Sequence, residues 1–497
     1  MPSLLSGTVN LKFVPQDGGR LTRQIYDRLR SAILSGALPQ GYRLPSSRVL
    51  AQDFQVSRNT VSSVIDQLAV EGYVAVARGR RPVVAALEKV RLISADASGH
   101  QDSGPVRISR WARQVSRSDR HFTNEGRPQP FAPGLADARE FPHEVWARCL
   151  RRAAGSRHRS RAIGANHPAL RAALLSHLVE HRGVKADARR LIITSSAQAA
   201  IELISRVILN AGDLAWIESP GYGGARVALE ATGARVRGIT LDRSGLRLAG
   251  RADRPRLIFC TPSHQYPTGR LMPIKRRQEL LAFAAEAGAA IIEDDYDSEF
   301  HFDGRPVVAL QGLDTSGNVF YVGTFSKSML PDIRVGYAIV PDRFVDTFER
   351  AQRHTGQMVT GATQGALAEF IGDGDFATHI RRMTRIYRGR RDRLATALAS
   401  AAGDRLAITP PAGGMQLLAR LEPGSDDGPL VADLASVGIT ARPLSRHFTG
   451  KATEHGLFLG FAAWNDAEID AGADLIGKTL AKIAAGGEAR AKTRSLP

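Results

Sequence analysis

Near the N-terminus, apolar residues recur at helical spacing three times in succession. Ile25, Leu29 and Ile33 form one stripe behind Thr22, a candidate cap, and Gly36 ends the helix. In RLPSSRVLAQDF (43–54), Pro45 and the two serines start a short helix whose Val49, Leu50 and Phe54 face inward. In VSRNTVSSVIDQLAVEGY, Ser57 is the natural cap and Val61, Val64, Ile65 and Leu68 make the apolar face. Arg58, Asn59 and Thr60 therefore leave the first turn outward. Val74 and Val76, with Val83 and Val84, then read as a strand pair with Arg78, Gly79, Arg80 and Arg81 at its tip.

Beyond Leu87 the pattern fades. Ser, Gly, Asp and Arg mix with little apolar periodicity, although RISRWARQV is a candidate short helix, and the stretch reads as a tether. From Phe131 the chain is compact. Apolar runs at Leu191, Leu214, Leu257, Ala289 and Val319 alternate with helical segments such as Gln198 to Leu209. This alternation predicts a mostly parallel sheet covered on both faces. After Phe376 a helical pattern, then MQLLARL and GLFLGFA, predicts a smaller α/β subdomain. The expected division is 18–86, a linker over 87–125, and 126–488, the last split into subdomains 165–365 and 366–488. A chain of 497 residues is long enough for two or three cores.

The formal net charge of +18 predicts attraction to polyanions, but only the location of the charge gives it meaning. Residues 20–86 hold ten arginines against four acids, a balance of +6 in about a seventh of the chain. A second basic run, ARCLRRAAGSRHRSR (147–161), reads either as another DNA-facing surface or as a solvated helix and loop. Two cysteines, Cys149 and Cys260, make a disulfide framework untenable and fit a reducing cytoplasm. No basic and apolar leader opens the chain, and even LLAFAAEAGAAII is broken by Glu286, so no membrane span is expected. No metal site is expected either.

Candidate chemistry centres on VFYVGTFSKSMLPDIRVGY (319–337), which ends an apolar run and presents Ser326, Lys327 and, seven residues on, Arg334. Taken alone, Lys327 reads as a solvated surface lysine. Partial shielding from water instead disfavours the charged amine and suits attack on a carbonyl such as pyridoxal phosphate. Three features point that way. Thirty-three residues upstream of Lys327, the run ending at Ile292 delivers Glu293, Asp294, Asp295 and Tyr296, and an acid beside a pyridine nitrogen keeps it protonated. In TSSAQAAIEL, Ser195 and Ser196 cap a helix starting near Ala197, whose first N–H groups suit a phosphate. ESPGYGG sets Tyr222 on a turn, where it can cover a ring, and TPSHQYPTG forms another loop.

Together these residues resemble the fold-type I pyridoxal-phosphate proteins of the aspartate aminotransferase superfamily. The resemblance implies Lys327 as the Schiff-base lysine, Asp294 as partner of the pyridine nitrogen, Tyr296 as donor to the ring oxygen and Tyr222 as the stacking ring. It implies a phosphate cup of Thr324, Ser326 and Arg334 with the backbone of Ser196, Ala197 and Gln198. Residues 20–86, through LPSSR, VSRNTV and LAVEGYV, resemble the winged helix-turn-helix of GntR regulators. That implies DNA contacts from Arg48, Ser57, Arg58, Thr60, Arg78 and Gly79, although Arg80 and Arg81 depart from the Gly-Ser-Gly-Thr usual in that wing.

The pairing of the two is similar to the MocR/GabR-type subfamily of GntR regulators. It implies a multidomain chain, an α+β winged helix joined to an α/β aminotransferase-like domain, working as a domain-swapped homodimer in the cytoplasm. Two functions stay in view. One is a regulator that binds operator DNA and senses pyridoxal phosphate or an amino compound; the other is an aminotransferase with an accessory DNA-binding domain. Departures weigh against the enzyme. Where such aminotransferases carry an arginine for the substrate carboxylate, Leu457 to Phe461 places Phe458, and the strongest orienting pair is lost. Tyr266 occupies the place of an Asn, for which His264 or Gln265 can substitute. By position, Arg446, Arg226 or His447 is the candidate receiver of an effector's acid group.

Overall fold

The computed structural model describes residues 21–77, 79–86, 108–116, 129–155, 166–248, 253–304 and 307–494. Arg78, Arg157, Arg159 and most of the expected linker lie outside the described residues. The chain divides into two compact units, 1–107 and 108–497.

In the first unit, α1 (Leu21–Leu34), α2 (Ser47–Asp53) and α3 (Arg58–Val70) are followed by β1 (Val74–Ala75) and β2 (Val83–Val84). Ile25, Leu29, Ile33, Leu50, Phe54, Val61, Val64 and Leu68 meet in one core. Gln55 takes a left-handed φ of 54°, which lets α3 leave α2 at a tight turn. Thr22 lies inside α1 instead of capping it. Val49 is 43% exposed, because Leu50 and Ala51 fill the inward positions of so short a helix. Val76 falls beyond β1 and is exposed as well. The wing gains a third segment not foreseen: Arg43 bridges Val83, and Leu44 N–H donates to Pro82 O at 2.8 Å.

The second unit opens with α4 (Arg110–Val115), α5 (His143–Gly155), α6 (Pro168–Arg182), β3 (Leu191–Thr194), α7 (Ala197–Ile208), β4 (Leu214–Ser219) and α8 (Gly223–Ala231). It continues through β5 (Arg235–Asp242), β6 (Gly245–Leu246), β7 (Leu257–Cys260), α9 (Ile274–Ala287), β8 (Ala290–Asp294), α10 (Leu310–Leu313), β9 (Val319–Thr324), α11 (Phe325–Ser328) and β10 (Gly336–Ile339). Then come α12 (Val345–Thr355), α13 (Gly361–Gly372), α14 (Asp375–Ala402), β11 (Leu406–Ile408), β12 (Gln416–Leu421), α15 (Asp427–Ser436), β13 (Arg442–Pro443), β14 (Gly456–Gly460) and α16 (Asp466–Arg494).

The large sheet has the order β3-β10-β9-β8-β7-β4-β5-β6. From β9 to β5 neighbours run parallel, whereas β10 is antiparallel to both β9 and β3. Only residues 325–335 separate β9 from β10, too few for a parallel crossover, so the chain returns antiparallel beside the strand it has just left. Ala215 and Ile217 pack with α7 and α8 on one face, while Trp216 stacks on Phe283 of α9 at 5.0 Å on the other. That alternation is what a sheet covered on both sides requires. The smaller sheet, β11-β12-β14-β13, is antiparallel throughout. No described helix is long and apolar enough to cross a membrane.

Candidate functional site

Side-chain alternation sorts the acids at the end of β8. Ile292 lies in the core beneath α7, and Ile291 in the core beside α9. Asp294 therefore shares the α7 face, and Glu293 and Asp295 take the other. There Arg182, at the end of α6, donates Nε to Asp295 Oδ2 at 2.7 Å and Nη2 to Ser263 at 2.6 Å. Tyr321 donates its hydroxyl to the same Asp295 oxygen at 2.5 Å. Glu293 accepts from Leu310 N and Gln311 N. Two of the three acids serve the scaffold, and Asp294 is the one on the face that α7 covers.

Thr324 ends β9 and caps α11, its Oγ1 accepting from Ser326 N at 3.1 Å. Half-buried on that turn, Lys327 donates Nζ to Gly134 O at 2.6 Å. Gly134 has φ 80°, a left-handed conformation that favours glycine, and a Cβ there would stand 2.5 Å from Nζ, so a larger residue would push the amine aside. Both ends of α11 are anchored. Phe325 N donates to Val335 O at 3.0 Å, and His379 of α14 donates Nε2–H to Ser328 O at 3.1 Å. Burial pushes the His379 imidazole down to about 4, so it is a neutral prop.

Ser196 caps α7 by accepting from Ala199 N at 3.1 Å, and helix geometry leaves the N–H groups of Ala197 and Gln198 at the open end. β10 passes this turn with bare backbone: a Cβ on Gly336 would lie 2.4 Å from Ser196 C and 2.5 Å from Ala197 N. Gln198 donates to Gly224 O at 2.9 Å and accepts from the Tyr222 hydroxyl at 3.2 Å, tying α7 to α8. Ser326 is half-buried. Arg334 sits on left-handed backbone at φ 50° with its side chain exposed.

Tyr266 is the centre of an aromatic wall, with Tyr222 at 5.5 Å, Tyr296 at 5.8 Å, Phe458 at 5.1 Å and His447 at 5.3 Å. His447 Nδ1 faces Pro443 O at 3.1 Å, so it carries the proton, and Nε2 accepts from the Tyr266 hydroxyl at 3.3 Å. Burial, with the Arg442 charge beside it, pushes His447 down to about 4. Burial, then Asp297, raises the Tyr296 phenol well above its ordinary value, which keeps it a donor. His264 holds Asp297 through Nδ1 at 2.9 Å, and its Cε1–Nε2 edge abuts Gly413. Gln265 spends its amide on Pro220 O and on Thr268 Oγ1. Gly134, Gly336 and His379 were not singled out from the sequence; the Pro-Gly turn at 133–134 was the one available signal.

Glu218, at the end of β4, lies beneath the Tyr222 turn. Its Oε2 accepts from Thr261 N at 3.0 Å and Oγ1 at 2.6 Å, while Oε1 meets no partner among the described residues. Burial raises its carboxyl to about 7. The folded state thus binds this proton more tightly than the unfolded chain, and the associated stability is complete below about 4.5 and lost as the pH climbs to about 7. Glu218→Gln should flatten that part of the profile. Denaturant midpoints at about pH 5 and pH 8 test it; an undiminished difference in the variant contradicts the assignment.

In the first unit, Ser57 caps α3 by accepting from Thr60 N at 3.1 Å, and its hydroxyl also meets Thr60 Oγ1 at 2.8 Å. Arg48 on α2 and Arg58 at the start of α3 are exposed, as is Gly79 at φ 77° in the wing turn. A helix N-terminus flanked by exposed arginines suits a phosphate backbone with base edges beyond it.

Comparison with known proteins agrees with both units. The family "Bacterial regulatory proteins, gntR family" matches residues 21–84, and "Aminotransferase class I and II" matches 135–451. The chain is 38% identical over 445 residues to a probable rhizopine catabolism regulatory protein, MocR, of Rhizobium meliloti, covering 88% of this chain and 90% of that one. It is 32% identical over 484 residues to the HTH-type transcriptional regulator TauR of Rhodobacter capsulatus, covering 94% and 98%. Among solved structures, LysN, an alpha-aminoadipate aminotransferase of Thermus thermophilus complexed with N-(5'-phosphopyridoxyl)-L-leucine, aligns with TM-score 0.66 at 25% identity, over 72% of this chain and 93% of that one. With a gntR-type helix-turn-helix and an aminotransferase class I and II domain in one chain, this protein belongs to the MocR-type transcriptional regulators.

Proposed function

We propose that the second unit holds pyridoxal phosphate through Lys327 and reports an amino compound, or the cofactor itself, to the DNA-binding unit. The observation that carries this is the placement of Lys327: one half-buried amine, 2.6 Å from the carbonyl of Gly134, whose left-handed backbone favours glycine. The backbone approach of Gly336 to Ser196 and Ala197 supports a fit for the phosphate, since it leaves the α7 N-terminus lined by main chain. When bound, the cofactor supplies an aldehyde to the amine and an electron-accepting ring. Asp294 would keep the pyridine nitrogen protonated, Tyr296 would donate to the ring oxygen, Tyr222 would cover the ring, and His264 would border it. Ser196, Ala197, Gln198, Thr324, Ser326 and Arg334 would hold the phosphate. Arg48, Ser57, Arg58, Thr60, Arg78 and Gly79 would contact the operator, in a cytoplasmic homodimer.

Turnover of α-amino acids is not part of this reading, because Phe458 stands where a carboxylate-binding arginine is needed. The test uses a DNA site selected by this protein from random duplexes. Affinity measured with and without pyridoxal phosphate, and then with amines, should respond in the full chain and stay constant in Lys327→Ala, without release of keto acid. A response that survives in the variant, or rapid keto-acid formation, overturns the reading.

A further inference from the structure

Phe458 is 1% exposed on β14 and packs edge-on against Tyr266 and at 5.5 Å from His447. The position an acid-binding arginine would occupy is therefore an apolar wall. The cross-strand partner of Phe458 on β13 is Arg442. Directly opposed residues leave a sheet on the same face with Cβ atoms about 4.5–5.5 Å apart, so Arg442 emerges on the face where Phe458 meets Tyr266 and His447. Arg442 is half-buried and makes no hydrogen bond or ion pair with another described residue. Its charge reaches His447, which is neutral and already committed to Pro443 O and Tyr266. Arg446, also considered from the sequence, is exposed and has interactions of its own.

We infer that Arg442 receives the acid group of the effector, which rests on the proposed reading of the cofactor site. Moving the guanidinium from β14 to β13 displaces it by one strand spacing, about 4.8 Å. An acid on the amine-bearing carbon then faces Phe458, and one carried further along the molecule reaches Arg442. The ligand class is a primary amine whose acid group is separated from it by two or more carbons.

Three amines of equal carbon number test this: 3-aminopropanoate, L-alanine and propylamine, each titrated into the full chain loaded with pyridoxal phosphate while its visible spectrum is followed. The expected result is tightest binding of 3-aminopropanoate, with Arg442→Met weakening it roughly tenfold or more and leaving propylamine unchanged. The unaltered starting spectrum of the variant shows that its pocket has kept its fold. Equal binding of propylamine and 3-aminopropanoate, a preference that survives Arg442→Met, or no shift with any of the three overturns the inference alone. Absence of a lysine-dependent band before any amine is added overturns the cofactor reading beneath it.

Discussion

Arg182→Ala should cost the second unit about 3–5 kcal/mol, the usual penalty for removing one partner of a buried ion pair. Arg182 is 3% exposed and its guanidinium holds Asp295, Ser263 and Val307 O together. Burial by itself would raise the Asp295 carboxyl; Arg182, with Tyr321 and Ser298, holds it below its ordinary value. Without the guanidinium that carboxylate is left charged in the interior, one residue from Asp294. The sign with pH follows. In the native chain the depressed Asp295 adds stability at neutral pH that is lost as the pH falls through its folded value. In the variant Asp295 must rise instead, so the deficit should be greatest near neutrality and shrink on acidification as the acid takes up a proton. Denaturant unfolding at several pH values measures both; a deficit under ~1 kcal/mol, or one that grows in acid, contradicts the role assigned to this pair.

Operator binding should fall roughly tenfold to a hundredfold in Arg58→Ala, the range expected when one arginine contact to a base is removed. Arg58 opens α3 and is exposed beside the Ser57 cap, where the first turn of the helix and its N-terminal dipole face outward. Arg48→Ala, on α2, gives the contrast. If Arg48 meets phosphate, its loss should lower the slope of log affinity against log salt by about 0.9 and weaken all sequences alike. Arg58→Ala should instead relax the preference for the selected site over random duplex. Binding isotherms across a salt series on both DNAs separate the two, and an Arg58→Ala protein with native affinity and preference removes α3 as the reading element.

What the sequence displayed most openly were features with a period or a fixed spacing. The stripes of α1 and α3 follow from helical periodicity, and the runs that became β3, β4, β7, β8 and β9 from burial in a core; the spacing of Asp294 from Lys327 puts one at the end of β8 and the other on the turn just past β9. Features that depend on contacts distant in the chain were hidden. β10 lay inside the stretch around Lys327 and was not separated from it; besides returning beside β9 it pairs with β3, well over a hundred residues away, and that half of its pairing has no local signal. Nothing local marks Gly134 as the partner of Lys327 or His379 as the prop of α11. Val49 shows the limit of patterning in short helices, where a single residue of rotation moves a side chain from core to solvent. Arg442 became visible only through its register opposite Phe458.

The central claim is a covalent one, that the amine of Lys327 bonds the aldehyde of pyridoxal phosphate. Purified protein mixed with the cofactor, reduced with borohydride and mapped by peptide mass spectrometry addresses it directly. The account predicts the added cofactor mass on the peptide that bears Lys327, and loss of both that mass and the visible band in Lys327→Ala. Cofactor fixed to a different lysine, or a band undiminished in the variant, would contradict it.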